Sequence, residues 1–343
     1  MMGLVNMKSK IKECSTPGGK RTVLGEELPL DTPFLIQIFP VYGCNFKCKY
    51  CLHALPKSQH DRISEDVYMD INVFKDYVDQ MKLFKRKIKM LRFAGIGEPL
   101  LHKNIVEMVN YAKKKDVAES IDIVTNGTLL SKEMSDGLIA AGLDRLRISI
   151  QGTSEKKYRD ICNADINLEQ FLSNIKYFYE RKKNTTMYIK IIDCALEGEA
   201  DEQYFYDIFG DICDEIAVEH MTPTVKGIDY SELNKSEKYN QTQNGGNLIE
   251  TCICPQPFYM IQINPDGIIV PCCSTKYPIR INESLKNSLE TIWNGKELNA
   301  FRKKMLDGVC SLEKPCNGCD LYKYGLFKED ILDNYVEKLK GVY

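Results

Sequence analysis

Three cysteines of the chain lie on one short segment. Cys44, Cys48 and Cys51 have the spacing C-x3-C-x2-C, directly after an apolar run. Three thiolates on one loop can ligate three irons of a cubane iron–sulfur cluster and leave the fourth iron without a protein ligand. Clusters that only carry electrons normally have four cysteine ligands, whereas an open coordination position is typical of a catalytic metal. The spacing therefore predicts a cluster that binds a small molecule and reduces it.

A structural zinc site is the main alternative for these cysteines, and chance clustering of buried thiols is another. Zinc sites usually combine two C-x2-4-C units, or one unit with a histidine pair, within about 20 residues. No second cysteine pair follows at that distance, and His53 and His60 do not have the spacing of a zinc finger. An iron–sulfur cluster is the better interpretation of the segment.

The composition limits the class of protein and its partners. The 343 residues suffice for one large domain and a smaller one. The net charge of −2 gives no general attraction to nucleic acid. No apolar run approaches the ~20 residues that span a bilayer, so no membrane partner is expected, and the N-terminus lacks the apolar core of a secretory signal. Because fourteen cysteines occur without an export signal, we expect a cytoplasmic protein whose thiols bind metal.

The elements that must position the cysteines alternate between strands and helices. Predicted strands cover 34–41, 88–94, 120–125, 145–151, 186–193 and 214–220. Predicted helices cover 65–84, 104–115, 131–142, 167–182 and 201–212, with N-caps at Ser64 and Ser131. Repeated strand–helix units imply a parallel sheet with right-handed crossovers, either a partial barrel or a doubly wound sheet. In both, ligands bind beyond the carboxyl ends of the strands.

The pattern divides the chain into five regions. An N-terminal extension is expected at 1–33, the strand–helix domain at 34–221, a polar linker at 222–250, a small cysteine-rich domain at 251–327 and a terminal helix at 328–343.

A second motif, Gly95-Ile96-Gly97-Glu98-Pro99, follows the second predicted strand. Its glycines let the backbone approach a ligand closely, and Leu100 excludes the dinucleotide fingerprint G-x-G-x-x-G. Together with the C-x3-C-x2-C loop, this motif resembles the radical S-adenosylmethionine (SAM) enzymes. The resemblance implies a partial (β/α)6 TIM-type barrel and a [4Fe–4S] cluster whose open iron chelates the amino and carboxylate groups of SAM. It also implies reductive cleavage of SAM to methionine and a 5′-deoxyadenosyl radical, with reducing electrons from a flavodoxin or ferredoxin.

The resemblance assigns roles to individual residues. Cys44, Cys48 and Cys51 would ligate the cluster, Tyr50 would pack near the adenine, and the motif with Gly95, Gly97 and Glu98 would meet the methionine amino group.

Two further segments resemble SAM-contacting turns. Thr125-Asn126-Gly127 is similar to a T-N-G turn common in the family, which makes Asn126 a SAM contact, although T-N-G is also a good generic turn. Ser149 occupies a position that reaches the ribose in similar enzymes. Gln151 is also expected to contact SAM, although many relatives carry Asp at this position and the role of that Asp does not carry over to Gln151.

A C-terminal group of cysteines forms a second candidate site. Cys254 is followed by twelve residues, Gly267, four residues and Cys272, and Cys316-x-x-Cys319 comes later. A hairpin with the turn Pro265-Asp266-Gly267 brings Cys254 and Cys272 to the same end of two strands. The pattern resembles the shortened SPASM domain called twitch, which holds one auxiliary [4Fe–4S] cluster on four thiolates. Zinc stays an alternative here.

Other cysteines have less definite roles. Cys310 is a possible substitute ligand, and any of Cys252, Cys273 and Cys310 could donate a hydrogen atom. Four more cysteines are expected to be ordinary buried thiols. These are Cys14, Cys162, Cys194 and Cys213.

Charged residues on the strands are the candidates for substrate contact. Lys190 lies in an otherwise apolar strand, where an unpaired charge is costly, so it either pairs with a carboxylate or meets a polar ligand. Glu219, His220 and His53 are further candidates, with solvated or salt-bridged side chains as the alternative.

These features predict a radical SAM oxidoreductase that uses SAM and two [4Fe–4S] clusters. The radical would take a hydrogen from a carbon of a small, sugar-like metabolite, and the auxiliary cluster would accept the remaining electron. Alternatives are an enzyme that crosslinks or epimerises ribosomal peptides, a sugar epimerase, and a non-catalytic iron–sulfur electron carrier. Only about 33 residues precede the first strand, fewer than an independent peptide-binding domain needs, which favours a small metabolite.

Overall fold

A nine-stranded sheet runs through the part of the chain that the computed structural model describes, residues 7–12, 21–231, 233, 240–281 and 287–343. The strands β1 to β9 are Lys10–Ile11, Leu35–Ile38, Met90–Phe93, Ile121–Thr125, Arg145–Ile150, Thr186–Ile192, Glu215–Glu219, Met260–Ile263 and Ile269–Val270. The helices α1 to α12 are Leu24–Glu27, Ile71–Met81, Ile105–Lys115, Lys132–Ala141, Glu155–Cys162, Leu168–Arg181, Glu199–Phe209, Gln256–Tyr259, Leu289–Trp293, Lys296–Met305, Leu321–Tyr324 and Val336–Lys340.

The order of the strands decides between the two predicted arrangements. Across the sheet the order is β1-β7-β6-β5-β4-β3-β2-β8-β9, so the six predicted strands, β2 to β7, are neighbours in chain order, and all are parallel. A doubly wound sheet reverses its order partway. An unreversed order with right-handed crossovers places the connecting helices on one side, as in a barrel wall. The other face of these strands forms the barrel interior.

Strand β5 illustrates how the sequence fills both faces. Ile148 and Ile150 are fully buried in the main hydrophobic core. Arg147 and Ser149 alternate with them and are only half-buried, because successive side chains of a strand point to opposite faces. The predicted alternation is confirmed, and it directs polar side chains into the barrel.

The C-terminal hairpin is part of the same sheet. Strands β8 and β9 pair in antiparallel fashion, and the intervening turn has Gly267 at a φ of +77°, a conformation that favours glycine. Strand β8 also pairs in parallel with β2, from Leu35–Met260 to Ile38–Ile263. Residues just before β8 and just after β9 therefore lie where the parallel strands begin, opposite the loop that follows β2.

Buried polar contacts attach the C-terminal helices to this sheet. Trp293 donates to the carbonyl of Leu30 at 2.8 Å. The buried guanidinium of Arg302 lies 4.0 Å from the Trp293 ring centroid and donates to the carbonyl of Pro257 at 2.9 Å. These bonds fix α9 and α10 beside the start of β8.

Some predicted boundaries are wrong. Helix α2 begins at Ile71 and is capped by Asp70, because the Ser64 hydroxyl instead bonds the carbonyl of Asp66 and the amide of Asp266. The N-cap at Ser131 is confirmed.

The predicted terminal helix is α-helical only over Val336–Lys340 and is preceded by two 3-10 turns. The carboxylates of Asp330 and Asp333 accept bonds from Arg21 and Cys252 there, across the chain. Helix α5 had not been predicted. No helix in the described ranges combines the length and apolarity needed to cross a membrane.

Replacing Asp70 with alanine should lower the free energy of unfolding by about 1 kcal/mol, because its carboxylate accepts the amide proton of Asn72 at 2.7 Å. Asn104→Ala is the matched control, since Asn104 occupies the same position before α3 and its side chain makes no capping bond. Urea unfolding should separate the two variants. Equal losses would contradict the capping role of Asp70.

Candidate active site

A cavity of about 370 Å³ opens at the carboxyl ends of the parallel strands. The eleven residues assigned to the SAM-binding cluster, to SAM or, for Lys190, to the substrate all line it, as do the further candidates Glu219 and His220, whereas His53 does not. The eleven are Cys44, Cys48, Tyr50, Cys51, Gly95, Gly97, Glu98, Asn126, Ser149, Gln151 and Lys190. Four further residues beyond β7, all but Met221 in the region predicted as a polar linker, also line the cavity and were missed because nothing in their spacing marks them. They are Met221, Thr222, Thr224 and Gln243.

The cysteine loop rests on the carboxyl end of helix α5. The amides of Lys47 and Lys49 donate to the carbonyls of Cys162 and Ile161 at 2.9 and 2.8 Å. The amide of Cys51 donates to the carbonyl of Cys48 at 2.8 Å, which closes a tight turn. A helix that sequence analysis missed therefore fixes the loop that carries the three thiols.

The electrostatics of the three thiols fit a metal-bound state. Burial raises the pKa of Cys44 to about 12 and that of Cys51 to about 11. A hydrogen bond with Cys162, followed by burial, raises the pKa of Cys48. Cysteine binds metals as the thiolate, and a bound metal would offset the cost of deprotonating these buried thiols. The donor set therefore fits the iron atoms of a cluster.

The G-x-G-E-P segment lies against the cysteine loop at backbone distance. A Cβ added to Gly97 would lie 1.8 Å from the carbonyl oxygen of Val41. The amide of Glu98 donates to the carbonyl of Gly43 at 2.9 Å. Only glycine allows this approach at position 97. His53 adds a bond of 3.0 Å between its Nε2 and the carbonyl of Ile96.

The Glu98 carboxylate is buried and accepts three protein hydrogen bonds. Its Oε1 accepts from the Leu100 amide at 2.9 Å and the Thr125 hydroxyl at 2.6 Å, and its Oε2 accepts from the Asn126 amide at 2.7 Å. Burial raises its pKa, and these bonds act in the opposite direction. Glu98 thus joins the loops after β3 and β4, a bond across the sheet that the motif alone did not reveal.

Asn126 and Tyr50 extend the connection to neighbouring strands. The Asn126 amide group donates to Asn45 Oδ1 at 2.8 Å and lies 3.9 Å from the Cys44 sulfur. The Tyr50 hydroxyl donates to the side-chain oxygen of Gln151. The loops after β2, β4 and β5 therefore meet around the three thiols.

Lys190 pairs with a carboxylate that was itself a candidate. Its Nζ lies 2.5 Å from Glu219 Oε2, which also accepts from the side-chain amide of Gln243 at 2.5 Å. The Tyr188 hydroxyl donates to Oε1 at 3.2 Å. Burial alone would raise the pKa of Glu219, but Lys190 and Arg147 hold it below its usual value. This end of the cavity is therefore polar, charged and internally bonded.

His220 stands at the rim of the same cavity. Its Nδ1 lies 3.0 Å from Asp193 Oδ2, and Asp193 Oδ1 accepts the amide of Met221 at 2.9 Å. Asp193 therefore fixes the orientation of the imidazole ring beside the cavity.

The four C-terminal cysteines predicted as ligands line a second, small cavity of about 40 Å³. These are Cys254, Cys272, Cys316 and Cys319. Burial raises the pKa of Cys316 to about 11. In the described residues, no set of three His, Cys, Asp or Glu side chains is arranged to hold a single metal ion.

The remaining cysteines lie outside both cavities. Cys252 and Cys310 are exposed, and Cys273 lies within electrostatic range of Arg92 on β3. Cys162 and Cys213 are buried as expected, whereas Cys194 is only half-buried. Cys14 lies outside the described residues.

Comparison with known proteins agrees with these two thiol groups. Residues 38–204 match the radical SAM superfamily, and residues 252–320 match the SPASM iron–sulfur cluster-binding domain. The GTP 3′,8-cyclase of Chlorobaculum tepidum is 31% identical over 134 residues, 38% of this chain and 36% of that enzyme. The GTP 3′,8-cyclase of Clostridium perfringens is 24% identical over 296 residues, 77% of this chain and 86% of that enzyme.

Solved structures share the fold at low sequence identity. Streptococcus suis SuiB has a TM-score of 0.56 at 16% identity, covering 81% of this chain and 69% of that chain. AdoMet-bound anSMEcpe has a TM-score of 0.55 at 15% identity, covering 90% and 95%. BtrN with AdoMet and 2-DOIA has a TM-score of 0.51 at 16% identity, covering 84% and 92%.

These matches confirm the partial TIM-type barrel and support iron–sulfur clusters over zinc. The chain belongs to the radical SAM superfamily, as an enzyme that uses SAM and a SAM-binding [4Fe–4S] cluster and carries a C-terminal SPASM-type iron–sulfur domain.

Proposed function

We propose that the chain oxidises a small polar substrate by radical SAM chemistry, with a sugar-like alcohol as the favoured class. The observation that carries the proposal is that one cavity contains both the C-x3-C-x2-C thiols and the Lys190–Glu219 pair. The second thiol group lies beside the hairpin that pairs with β2, at the opposite end of the strands. This position supports the proposal that it holds an electron acceptor close to the same barrel interior.

Cys44, Cys48 and Cys51 would hold the cluster, and Glu98 with Asn126 would fix the loops around SAM. When bound, this cluster supplies the electron that cleaves SAM, and the resulting 5′-deoxyadenosyl radical takes a hydrogen atom from the substrate. Reducing electrons would come from a flavodoxin or ferredoxin. The protein contributes orientation and the exclusion of water.

The polar end of the cavity suits a substrate with hydroxyl groups. The Lys190 ammonium has three donors, and one of them is directed at Glu219. The imidazole of His220, oriented by Asp193, would face a substrate hydroxyl at the rim. A sugar-like alcohol offers donors and acceptors to both groups.

The C-terminal cysteines would complete the oxidation. Converting an alcohol carbon to a ketone removes two electrons, of which one leaves with the abstracted hydrogen atom, and the hydroxyl proton leaves separately. The second electron needs an acceptor. Four thiolates from Cys254, Cys272, Cys316 and Cys319 would hold one auxiliary [4Fe–4S] cluster of the twitch type, and a fully ligated cluster is suited to accept an electron.

A peptide substrate is the second candidate. It is favoured by the fold shared with SuiB, which has also been solved with its precursor peptide SuiA. An epimerase, of sugar or peptide, would return a hydrogen atom to the substrate and would incorporate solvent deuterium into the product, whereas net oxidation would not.

The proposal is tested by anaerobic reconstitution with iron and sulfide, followed by SAM, dithionite and a panel of sugars and cyclitols. We expect 5′-deoxyadenosine in a one-to-one ratio with a product oxidised by two electrons. Formation of no 5′-deoxyadenosine would favour the electron-carrier alternative. Deuterium from D2O at the reacting carbon would exclude net oxidation.

The two thiol groups should respond differently to substitution. Cys48→Ala should abolish SAM cleavage. Cys316→Ala should retain uncoupled cleavage, lose product, and lower the iron content from roughly eight to roughly four per chain. Cys310→Ala is the control for the second site, because Cys310 is exposed and lies outside that cavity. A Cys48→Ala variant that cleaves SAM normally, or a loss of iron in Cys310→Ala, would contradict the ligand assignment.

Glu98→Gln should weaken SAM binding about tenfold, because an amide replaces one of the acceptors that hold the Thr125 and Asn126 turn. Equilibrium dialysis of SAM against the reconstituted protein measures the effect, with iron content as a check on the cluster. The control is Glu107→Gln, which makes the same change at a half-exposed carboxylate paired with Lys75. Unchanged SAM affinity in Glu98→Gln would show that the turn does not depend on this carboxylate.

A further inference from the structure

The barrel interior contains more cationic groups than its carboxylates can pair closely. Asp122 lies 3.0 Å from Arg92, Glu219 lies 2.5 Å from Lys190, and Glu215 lies 3.0 Å from Lys12. Each carboxylate thus has a close cationic partner. Two guanidinium groups of β5, those of Arg145 and Arg147, have no carboxylate of the described residues nearer than 4.0 and 3.8 Å.

Arg147 is the one of these two that lies nearer the cavity, although it is not itself a lining residue. It precedes Ser149 by two residues on the same face of β5, and Ser149 lines the cavity. Arg145 lies two residues farther from it. Only 12% of the Arg147 side chain is exposed, and its guanidinium carbon lies 5.4 Å from the centroid of the Tyr188 ring. Its strand neighbour Val124 also lines the cavity, so Arg147 lies directly beneath the lining residues.

The Arg147 guanidinium is poorly satisfied within the protein. Its Nε is buried and has no hydrogen-bond partner among the described residues. Asp122 lies beyond hydrogen-bond range at 3.8 Å and is already bound by two nitrogens of Arg92. A buried charged donor without an acceptor is unfavourable. A ligand that supplies oxygen acceptors would remove this cost.

The charges of the residues around Arg147 would be balanced better by an additional negative group. Glu219 is occupied by Lys190, Gln243 and Tyr188. Burial raises the pKa of Tyr188, so its hydroxyl stays neutral. The interior-facing ionisable residues of β3 to β7 are four cations and three carboxylates. They are Arg92, Arg145, Arg147, Lys190, Asp122, Glu215 and Glu219.

We propose that Arg147 binds an acidic group of the substrate, a carboxylate or a phosphate monoester, that reaches beneath the residues lining the cavity. A planar guanidinium matches two oxygens of either group in bidentate geometry. The inference that the ligand is the substrate rests on the function proposed above. It narrows the favoured class from sugar-like alcohols to acidic ones, such as a sugar acid or a sugar phosphate.

The test measures anion binding without turnover. Sodium phosphate and sodium acetate are titrated by calorimetry into the anaerobically reconstituted, SAM-loaded protein. We expect binding in the wild type and at least about tenfold weaker binding in Arg147→Gln. The control is Arg181→Gln, which removes the same charge at an exposed position outside the barrel and should bind as the wild type does. Tighter binding of phosphate or of acetate identifies the acidic group.

A second variant covers the case in which Arg147→Gln does not fold. Arg147→Lys keeps the charge but loses the bidentate geometry, so its affinity should fall severalfold. Absence of anion binding by the wild type, or equal affinity in the wild type and the Arg147 variant that folds, would overturn the proposal. A protein that forms 5′-deoxyadenosine and binds neither anion would contradict this inference alone and leave the proposed function standing.

Discussion

The buried carboxylate of Glu98 is the contact on which the geometry of the cavity beside the cysteine loop depends. A carboxylate in the interior is unfavourable unless its oxygens accept hydrogen bonds, and here the partners come from two loops. The same residue begins a segment that lies against the cysteine loop, where Gly97 approaches the Val41 carbonyl. Three consecutive loops are therefore held together. Moving the loop after β4 would remove partners of the buried carboxylate, and moving the cysteine loop would break the bond between the Glu98 amide and the Gly43 carbonyl.

The sheet gives the two thiol groups a defined relation. Strand β8 pairs in parallel with β2, so the C-terminal cysteine region is joined to the barrel by backbone hydrogen bonds. The cysteine loop follows the end of β2, and Cys254 and Cys272 flank the other end of the hairpin. The two thiol groups therefore lie at opposite ends of the parallel strands.

Between these ends, the interior is polar because of strand alternation. Each strand of the barrel wall buries aliphatic residues under the helices and turns its other residues inward. Most inward charges form close pairs, as Lys190 does with Glu219. The exceptions are the guanidinium groups of Arg145 and Arg147 on β5, which have no close carboxylate among the described residues. This is the physical basis for proposing a ligand at Arg147.

The sequence by itself determined the features that depend on spacing along one segment. Three thiols within eight residues must share a loop, and a period of two or of about four residues distinguishes strands from helices, so the cysteine loop and the six central strands could be predicted. The tertiary structure decided which segments meet. Several features depend on sheet register and on contacts between residues distant in the chain. They are the partners of Glu98, the approach of Gln243 to Glu219, the pairing of β8 with β2 and the lack of a hydrogen-bond partner for Arg147 Nε among the described residues. The residues next to these positions in the sequence do not encode those contacts, so only the folded chain could reveal them.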